Sequence, residues 1–249
     1  MFRIAKKFEQ RFLLSADHVV SLTHAALREM KLFPYLQGKM PPFTVITTCA
    51  DLTRFVPMSC KPAKESFTMG YVGSAGTWYH FEAVAACFAQ LRRMQPNARF
   101  LIVNRGEHPY IRECLNTAGV PETAVELVTA NHTEIPQLMA RMDAGIFFIK
   151  PVFSKLASAP TKLGEFLGCG IPCLSNTGVG DMADILEGEH IGIALSSFDE
   201  DSLTIGLHRL MILVTDATTH DRCIASAKRH FSLDVGVTLY SQIYVQLEE

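Results

Sequence analysis

No apolar run in this chain approaches the ~18 residues that a membrane-spanning helix needs. No block of basic residues is present either. Lys and Arg total 23 against 25 Asp and Glu, a net charge of −2, so a nucleic-acid partner is not expected. The seven cysteines are odd in number and scattered, and they show neither a CxxC pair nor Cys/His metal spacing. They predict reduced thiols in a cytoplasmic protein, with no metal site. Met1 to Leu14 carries charges throughout and does not read as a signal peptide. Internal repeats are not evident. What remains is a chain of 249 residues with 48% hydrophobic and 19% charged residues. That composition describes a well-cored globular protein of one large domain, or one domain plus a piece.

Hydrophobic spacing gives the order of elements. Ile4, Phe8 and Phe12 recur every fourth residue among Arg3, Lys6, Lys7 and Arg11, which predicts a helix over 2–14. A strand over His18 to Leu22, a helix over Ala25 to Leu32 and a strand over Phe43 to Thr48 make a βαβ unit with parallel strands. Val56 to Ser66, with Pro57 and Pro62, reads as a linker. Strands are then expected at Phe67 to Gly73, Arg99 to Val103, Val125 to Val128, Ala144 to Ile149, Ile171 to Ser175 and Ile191 to Leu195. Helices fall between them, including one over Pro136 to Met142 capped by Asn131 or Thr133. Helices also cover Glu200 to Leu213 and Asp216 to His230. A last helix, capped by Ser232, carries Val235, Leu239, Ile243 and Leu247 as its stripe. The alternation predicts an α/β fold with a doubly wound parallel sheet. Right-handed crossovers put the loops after Gly73, Val103, Ile149 and Ser175 on one rim.

The most informative stretch runs from Ser158 to Pro172. Pro160 and Thr161 can open a helix, and Gly168 and Gly170 can end it. Leu163, Phe166 and Leu167 share its apolar face. Lys162 and Glu165 lie on another. A helix N-terminus with Lys162 in its first turn suits phosphate. One turn on, Glu165 offers two acceptor oxygens, enough for both hydroxyls of a ribose. Taken on spacing alone, such a pair is more often a solvated surface pair worth a few tenths of a kcal/mol. Ligands of open α/β sheets bind at the C-terminal strand ends, where Lys150, Lys155 and Lys162 are expected to converge. Lys162 is favoured among them.

A second glycine-rich turn follows the strand at 67–73, with Gly70, Gly73 and Gly76. This is not the G-x-G-x-x-G of a dinucleotide site, and no acidic residue ends the next strand. NAD is therefore not indicated. A tight turn with close helix packing accounts for these glycines as well as a phosphate cradle does.

Pro160 to Pro172, followed by Asn176 to Asp181, resembles the donor-site signature of family 4 (group 1) GT-B glycosyltransferases. Ser15 to Thr23 with Val45 to Phe55 resembles the last unit of their N-terminal domain. Gly70 to Tyr79 is similar to the first strand and loop of their donor domain, and Phe231 to the end to the helix that crosses back. The resemblance implies a partial N-terminal domain at 1–57, a nucleotide-sugar binding domain at 58–232 and a crossing helix at 233–249. It implies a donor diphosphate held by Lys162, Thr161, Ser158, Gly73, Ser74 and Arg105. Glu165 would hold the ribose, and Gly178, Val179, Gly180 and Asp181 would form a loop near the donor sugar. It also implies retaining, metal-independent transfer of a sugar from a nucleotide diphosphate, with no cofactor.

Two departures matter. The N-terminal domain of that family is normally a complete doubly wound sheet, yet only residues 1–57 precede the linker here. By that resemblance, the acceptor-binding half is expected to be largely absent. Many members also carry a Glu eight residues before the ribose-holding one, and here that position is Ala157, with Ser158 the nearer match. No catalytic residue is assigned. The expected function is a glycosyltransferase half acting on a glycan, lipid-linked or small-molecule acceptor. The alternative is a non-catalytic binding module that needs a separate N-terminal chain, or that forms a homo-oligomer. The basic, Phe-rich helix 2–14 also permits attachment at the inner membrane surface, although packing against a sheet is the commoner fate of such a face.

Overall fold

The computed structural model describes residues 2–58 and 66–248, so most of the expected linker, with Cys60, lies outside the described residues. In the first part, strands Val19–Ser21 (β1) and Phe43–Val45 (β2) pair in parallel. Helix His24–Met30 (α2) joins them. Thr23 caps α2, its hydroxyl oxygen accepting from the Ala26 N–H at 3.1 Å. This is the expected βαβ unit, with shorter strands.

Helix Phe2–Leu14 (α1) does not bury its apolar stripe. Ile4, Phe8 and Phe12 are 61, 68 and 74% exposed. The helix docks through another side. Leu13 is buried. Lys6 pairs with Glu9 at 2.6 Å and stands 4.6 Å over the Phe33 ring. Glu9 accepts from the Tyr35 hydroxyl. The partner of α1 is thus the connection between α2 and β2, not the face of a sheet.

The second part holds six strands, all pairs parallel: Thr68–Val72 (β3), Arg99–Val103 (β4), Val125–Val128 (β5), Ala144–Ile146 (β6), Cys173–Asn176 (β7) and Gly192–Leu195 (β8). Their order is β5-β4-β3-β6-β7-β8. Helices Phe81–Met94 (α3), His108–Thr117 (α4), Ile135–Met139 (α5), Thr161–Gly168 (α6), Met182–Gly188 (α7) and Glu200–Thr215 (α8) alternate with them. Thr219–Phe231 (α9) and Leu233–Glu248 (α10) close the chain. Tyr71, Phe81, Phe88, Phe100, Phe147, Phe148, Phe166 and Phe231 are fully buried and form much of the core.

Helix α6 buries Leu163, Phe166 and Leu167 as its spacing predicts. Gly145 on β6 lets it press close, since a Cβ there would meet the Phe166 ring at 2.8 Å. After the helix, Gly170 takes a left-handed φ of +72°.

Three local expectations fail for physical reasons. Strand β6 stops at Ile146 because the chain beyond it exchanges partners. The Ile149 N–H donates to Asn176 Oδ1 at 2.8 Å, and Asn176 Nδ2 donates to the Ile149 carbonyl at 2.9 Å. The His80 N–H donates to the Phe148 carbonyl, and the Lys150 N–H to that of Trp78, both at 2.9 Å. Helix α5 is capped by neither Asn131 nor Thr133. Glu134 stands at its N-cap, and its carboxylate accepts from the Asn131 N–H at 2.7 Å. On α10, Ile243 is buried but Val235 and Leu247 are 42 and 48% exposed. That helix approaches the first part at Gly236, where a Cβ would lie 2.7 Å from Cys49 Sγ.

Candidate functional site

Strand β3 has β4 on one side and β6 on the other. The strand order reverses there, the place where open α/β sheets bind ligands, and the loops leaving β3 and β6 are joined by the His80–Phe148 and Lys150–Trp78 hydrogen bonds. Gly73 opens the first loop with a φ of +104°, a conformation that favours glycine. Its N–H donates to the Val103 carbonyl at 2.9 Å, and its carbonyl accepts from Asn104 Nδ2 at 3.0 Å. The next N–H groups are already engaged. Those of Ala75 and Gly76 donate to the two carboxylate oxygens of Glu107 at 2.8 and 2.7 Å. Buried Asn104 braces the arrangement, donating to Glu107 at 2.9 Å and accepting from the Gly106 and Glu107 N–H groups. Burial pushes the Glu107 carboxyl up. Hydrogen bonds from Ala75, Asn104 and Gly76, with the Lys162 charge, bring it below the usual carboxylate value.

Lys162 comes from the first turn of α6 and points at the Gly73 turn. Its side chain is 9% exposed, and Nζ makes no hydrogen bond. Nζ lies 3.1 Å from where a Cβ on Gly73 would stand. Three rings surround it, with centroids at 3.8 Å (Tyr79), 5.1 Å (Tyr71) and 5.6 Å (Phe147). Burial pulls its pKa down to about 7, against the raising effect of Glu165 and Glu107. A buried ammonium with no hydrogen-bond partner is costly. Such a group is a candidate to meet an anion. The helix start adds to this, because Pro160 stands at the N-cap and no side chain caps the first turn.

Glu165 follows one turn later on α6 and is 15% exposed. Burial raises its pKa, partly offset by His132 and Lys162. His132 Nε2 stands 3.7 Å from Glu165 Oε1. On the β4 side of the Gly73 loop, a cavity of about 380 Å³ is lined by Gly73, Ser74, Asn104, Arg105, Ala130 and Ile135; Lys162, Glu165 and His132 do not line it.

The structure therefore brings Lys162 against Gly73 and sets Glu165 beside them. It places the other expected residues differently. Thr161 is exposed and caps nothing. Ser74 is exposed, and its carbonyl accepts from the Tyr71 hydroxyl. Arg105 shares the cavity, but its guanidinium donates to the Ala130 carbonyl at 3.3 Å and to Asn131 Oδ1 at 3.4 Å. Lys150 and Lys155 do not join Lys162. Lys150 donates to the Thr77 carbonyl at 3.1 Å, and Lys155 stands 4.3 Å over the Trp78 ring.

The Gly178 to Asp181 loop is used for packing. Val179 is buried, and a Cβ on Gly178 would meet the Pro151 side chain at 2.8 Å. Gly180 lies against the Ser158 carbonyl so closely that a Cβ would come within 2.2 Å of it. The Asp181 carboxylate is occupied by the first part, accepting from the His24 and Ala25 N–H groups at 2.6 and 2.8 Å. Thr23 and Thr48 donate to the Leu156 and Ala159 carbonyls in the same region. A second cavity of about 140 Å³, lined by Thr47, Pro160, Leu163 and Leu239 among others, lies between the two parts.

Sequence reasoning missed Tyr79, Asn104, Glu107, His132 and Arg54. The run Asn104-Arg105-Gly106-Glu107 at a strand end was a usable signal, since Asn and Gly within one short stretch favour a turn and Glu107 opens α4. His132 carried none. Among the described residues, no group of three or more His, Cys, Asp or Glu is placed to hold a metal ion. No helix among them is long and apolar enough to cross a membrane.

Neither a protein-family model nor a curated protein matches the chain. Solved structures do. Sucrose-phosphate synthase from Thermosynechococcus elongatus superposes with a TM-score of 0.76 at 18% identity, over 96% of this chain and 60% of that one. The Anabaena protein HepE, in complex with UDP and glucose, gives 0.70 at 19% identity over 99% and 66%. The pneumococcal O-GlcNAc transferase GtfA, in complex with UDP and GlcNAc, gives 0.69 at 14% identity over 94% and 46%. The chain has the fold of GT-B glycosyltransferases, and it spans about half to two thirds of the length of these structures.

Proposed function

We propose that this chain is the donor-binding half of a glycosyltransferase, which binds a nucleotide-diphosphate sugar and passes the sugar, with retention, to an acceptor. The observation that carries the reading is Lys162. It is buried, has no hydrogen bond and lies under the Gly73 turn at the point where the strand order reverses. A diphosphate placed there would meet the Lys162 ammonium and the uncapped start of α6. Glu165 would hold the ribose. As the bond between the sugar carbon and the diphosphate oxygen breaks, its electron pair goes to that oxygen. Lys162 and the helix start stabilise the charge, which is electrostatic catalysis. On this reading residues 1–57 are a partial acceptor-side domain, 58–232 the donor domain and 233–249 the helix that returns. The setting we infer is cytoplasmic, with no cofactor.

The test is a thermal-shift titration of the chain with UDP, GDP, ADP, CMP and their sugar conjugates. A nucleotide at ~100 times its dissociation constant should stabilise the fold by about 2.7 kcal/mol. Glu165→Ala and Lys162→Ala should abolish the shift. No shift with any nucleotide sinks the reading.

A second reading rests on the exposed stripe of α1. Ile4, Phe8 and Phe12 face solvent beside a sheet of only two parallel strands, and parallel sheets are normally covered on both faces. On this reading the chain binds the nucleotide sugar without catalysis until a separate chain, or a second copy, covers that side. Activity of the purified chain alone argues against it. The flanking Arg3, Lys7 and Arg11 make an anionic membrane the competing occupant, and flotation with anionic vesicles separates that outcome.

A further inference from the structure

We propose that His132, held by Arg54, reads a ribose hydroxyl together with Glu165, so that the site requires a ribonucleotide. The inference rests on the donor reading above. Arg54 Nη1 lies 2.7 Å from His132 Nδ1. A guanidinium has donors only, so Nδ1 must supply the lone pair, and the neutral ring carries its hydrogen on Nε2. That Nε2–H is the atom facing Glu165 Oε1, at 3.7 Å.

The separation is too long for a good hydrogen bond between the two. It suits a third atom instead. Two atoms 3.7 Å apart can both lie about 2.8 Å from one hydroxyl oxygen. That hydroxyl would donate its proton to the carboxylate and accept from the imidazole. A hydrogen atom in its place can do neither.

The imidazole is held for this task. The Phe55 ring meets it edge-on, with centroids 5.5 Å apart, and Phe55 itself is fully buried. Arg54 is steadied in turn by Asp51, whose Oδ2 lies 3.6 Å from the guanidinium Nε and whose Oδ1 accepts from the Arg54 backbone N–H at 3.2 Å. Arg54, Phe55 and Asp51 belong to the segment after β2, while His132 follows β5 and Glu165 lies on α6. Three distant stretches of chain meet over one carboxylate. The His132 side chain is still 54% exposed, so a ligand can reach it.

The experiment is calorimetric titration of the full chain with UDP, GDP and ADP and with their 2′-deoxy and 3′-deoxy forms. Wild type should bind one ribonucleotide about tenfold or more tightly than at least one of its deoxy forms, the worth of a hydrogen-bonded hydroxyl. His132→Ala should weaken the ribonucleotide about tenfold and leave that deoxy form nearly unchanged, so the ratio collapses. His132→Gln, which keeps a donor, should retain part of it, and Arg54→Ala should shrink it. A ratio unchanged in His132→Ala, while wild type binds, overturns the proposal and leaves the donor site standing. Binding of no nucleotide by wild type removes both.

Discussion

Lys162 Nζ stands 3.8 Å over the centre of the Tyr79 ring and forms no hydrogen bond. The aromatic face holds the cation, but it does not replace the water that burial removed. The residue at the centre of the site is therefore expected to be a cost to the fold.

Lys162→Met should make the free protein more stable while ending nucleotide binding. The thioether chain fills similar space and removes a buried amine that lacks a hydrogen bond. A gain of about 1 kcal/mol is expected, in the range of other single stabilising changes. Denaturant unfolding measures the first effect and the thermal-shift titration the second. A substantial loss of stability would contradict this account of Lys162.

The pH dependence has a definite sign. The folded pKa of Lys162 is lowered to about 7, against an ordinary value of 10.5. Between those values the unfolded chain binds more protons, so the contribution of this group to stability rises with pH across that window. Binding of a diphosphate goes the other way. It favours the protonated lysine, so affinity should fall about tenfold per pH unit above ~7, with proton uptake on binding. Calorimetry in buffers of different ionisation heat measures that uptake. Equal affinity at pH 6.5 and 9 would contradict it.

Glu107→Ala should loosen the loop that opens at Gly73. It strands the Ala75 and Gly76 N–H groups and removes one of the two bonds of the Asn104 amide, at a cost of about 1–3 kcal/mol. Amide exchange at Ala75 and Gly76 should quicken with it. The lowered pKa of Glu107 adds an acid dependence: its stabilisation is complete above the usual carboxylate range and is lost as pH falls through its folded value. Unchanged exchange at these two amides would show that the carboxylate does not hold the loop.

Asp181→Ala should release the first part from the donor-side loops. The carboxylate accepts from the His24 and Ala25 N–H groups at the start of α2. Loss of such a capping interaction costs about 1 kcal/mol. Hydrogen exchange across His24–Met30 should rise while that of β3 and β4 stays as it was. If exchange in α2 does not change, Thr23 alone secures the helix.

Much of this architecture was legible before any coordinates. The six strands of the sheet, the βαβ unit and the α6 helix follow from local spacing, because apolar alternation and helical period are properties of neighbours in the chain. The helix-opening signal at Pro160 and the two residues Lys162 and Glu165 were legible for the same reason. What the residues do was less so. Lys150 and Lys155 look equivalent to Lys162 in a list of loop lysines, yet they engage Thr77 and Trp78.

The sequence by itself determined most of the elements, the parallel direction of the strands and the helix that carries the candidate site, because these depend on periods of two or of three to four residues and on the alternation of strand and helix. Tertiary structure decided which side chains meet. Asp181 reaches an N–H 157 residues away, and Arg54 reaches a histidine 78 residues away. It also decided that Glu107 satisfies the glycine loop, that Lys162 lies bare among three rings and that the α1 stripe faces solvent. Such pairings are set by how packed layers close on one another, and no local spacing encodes them.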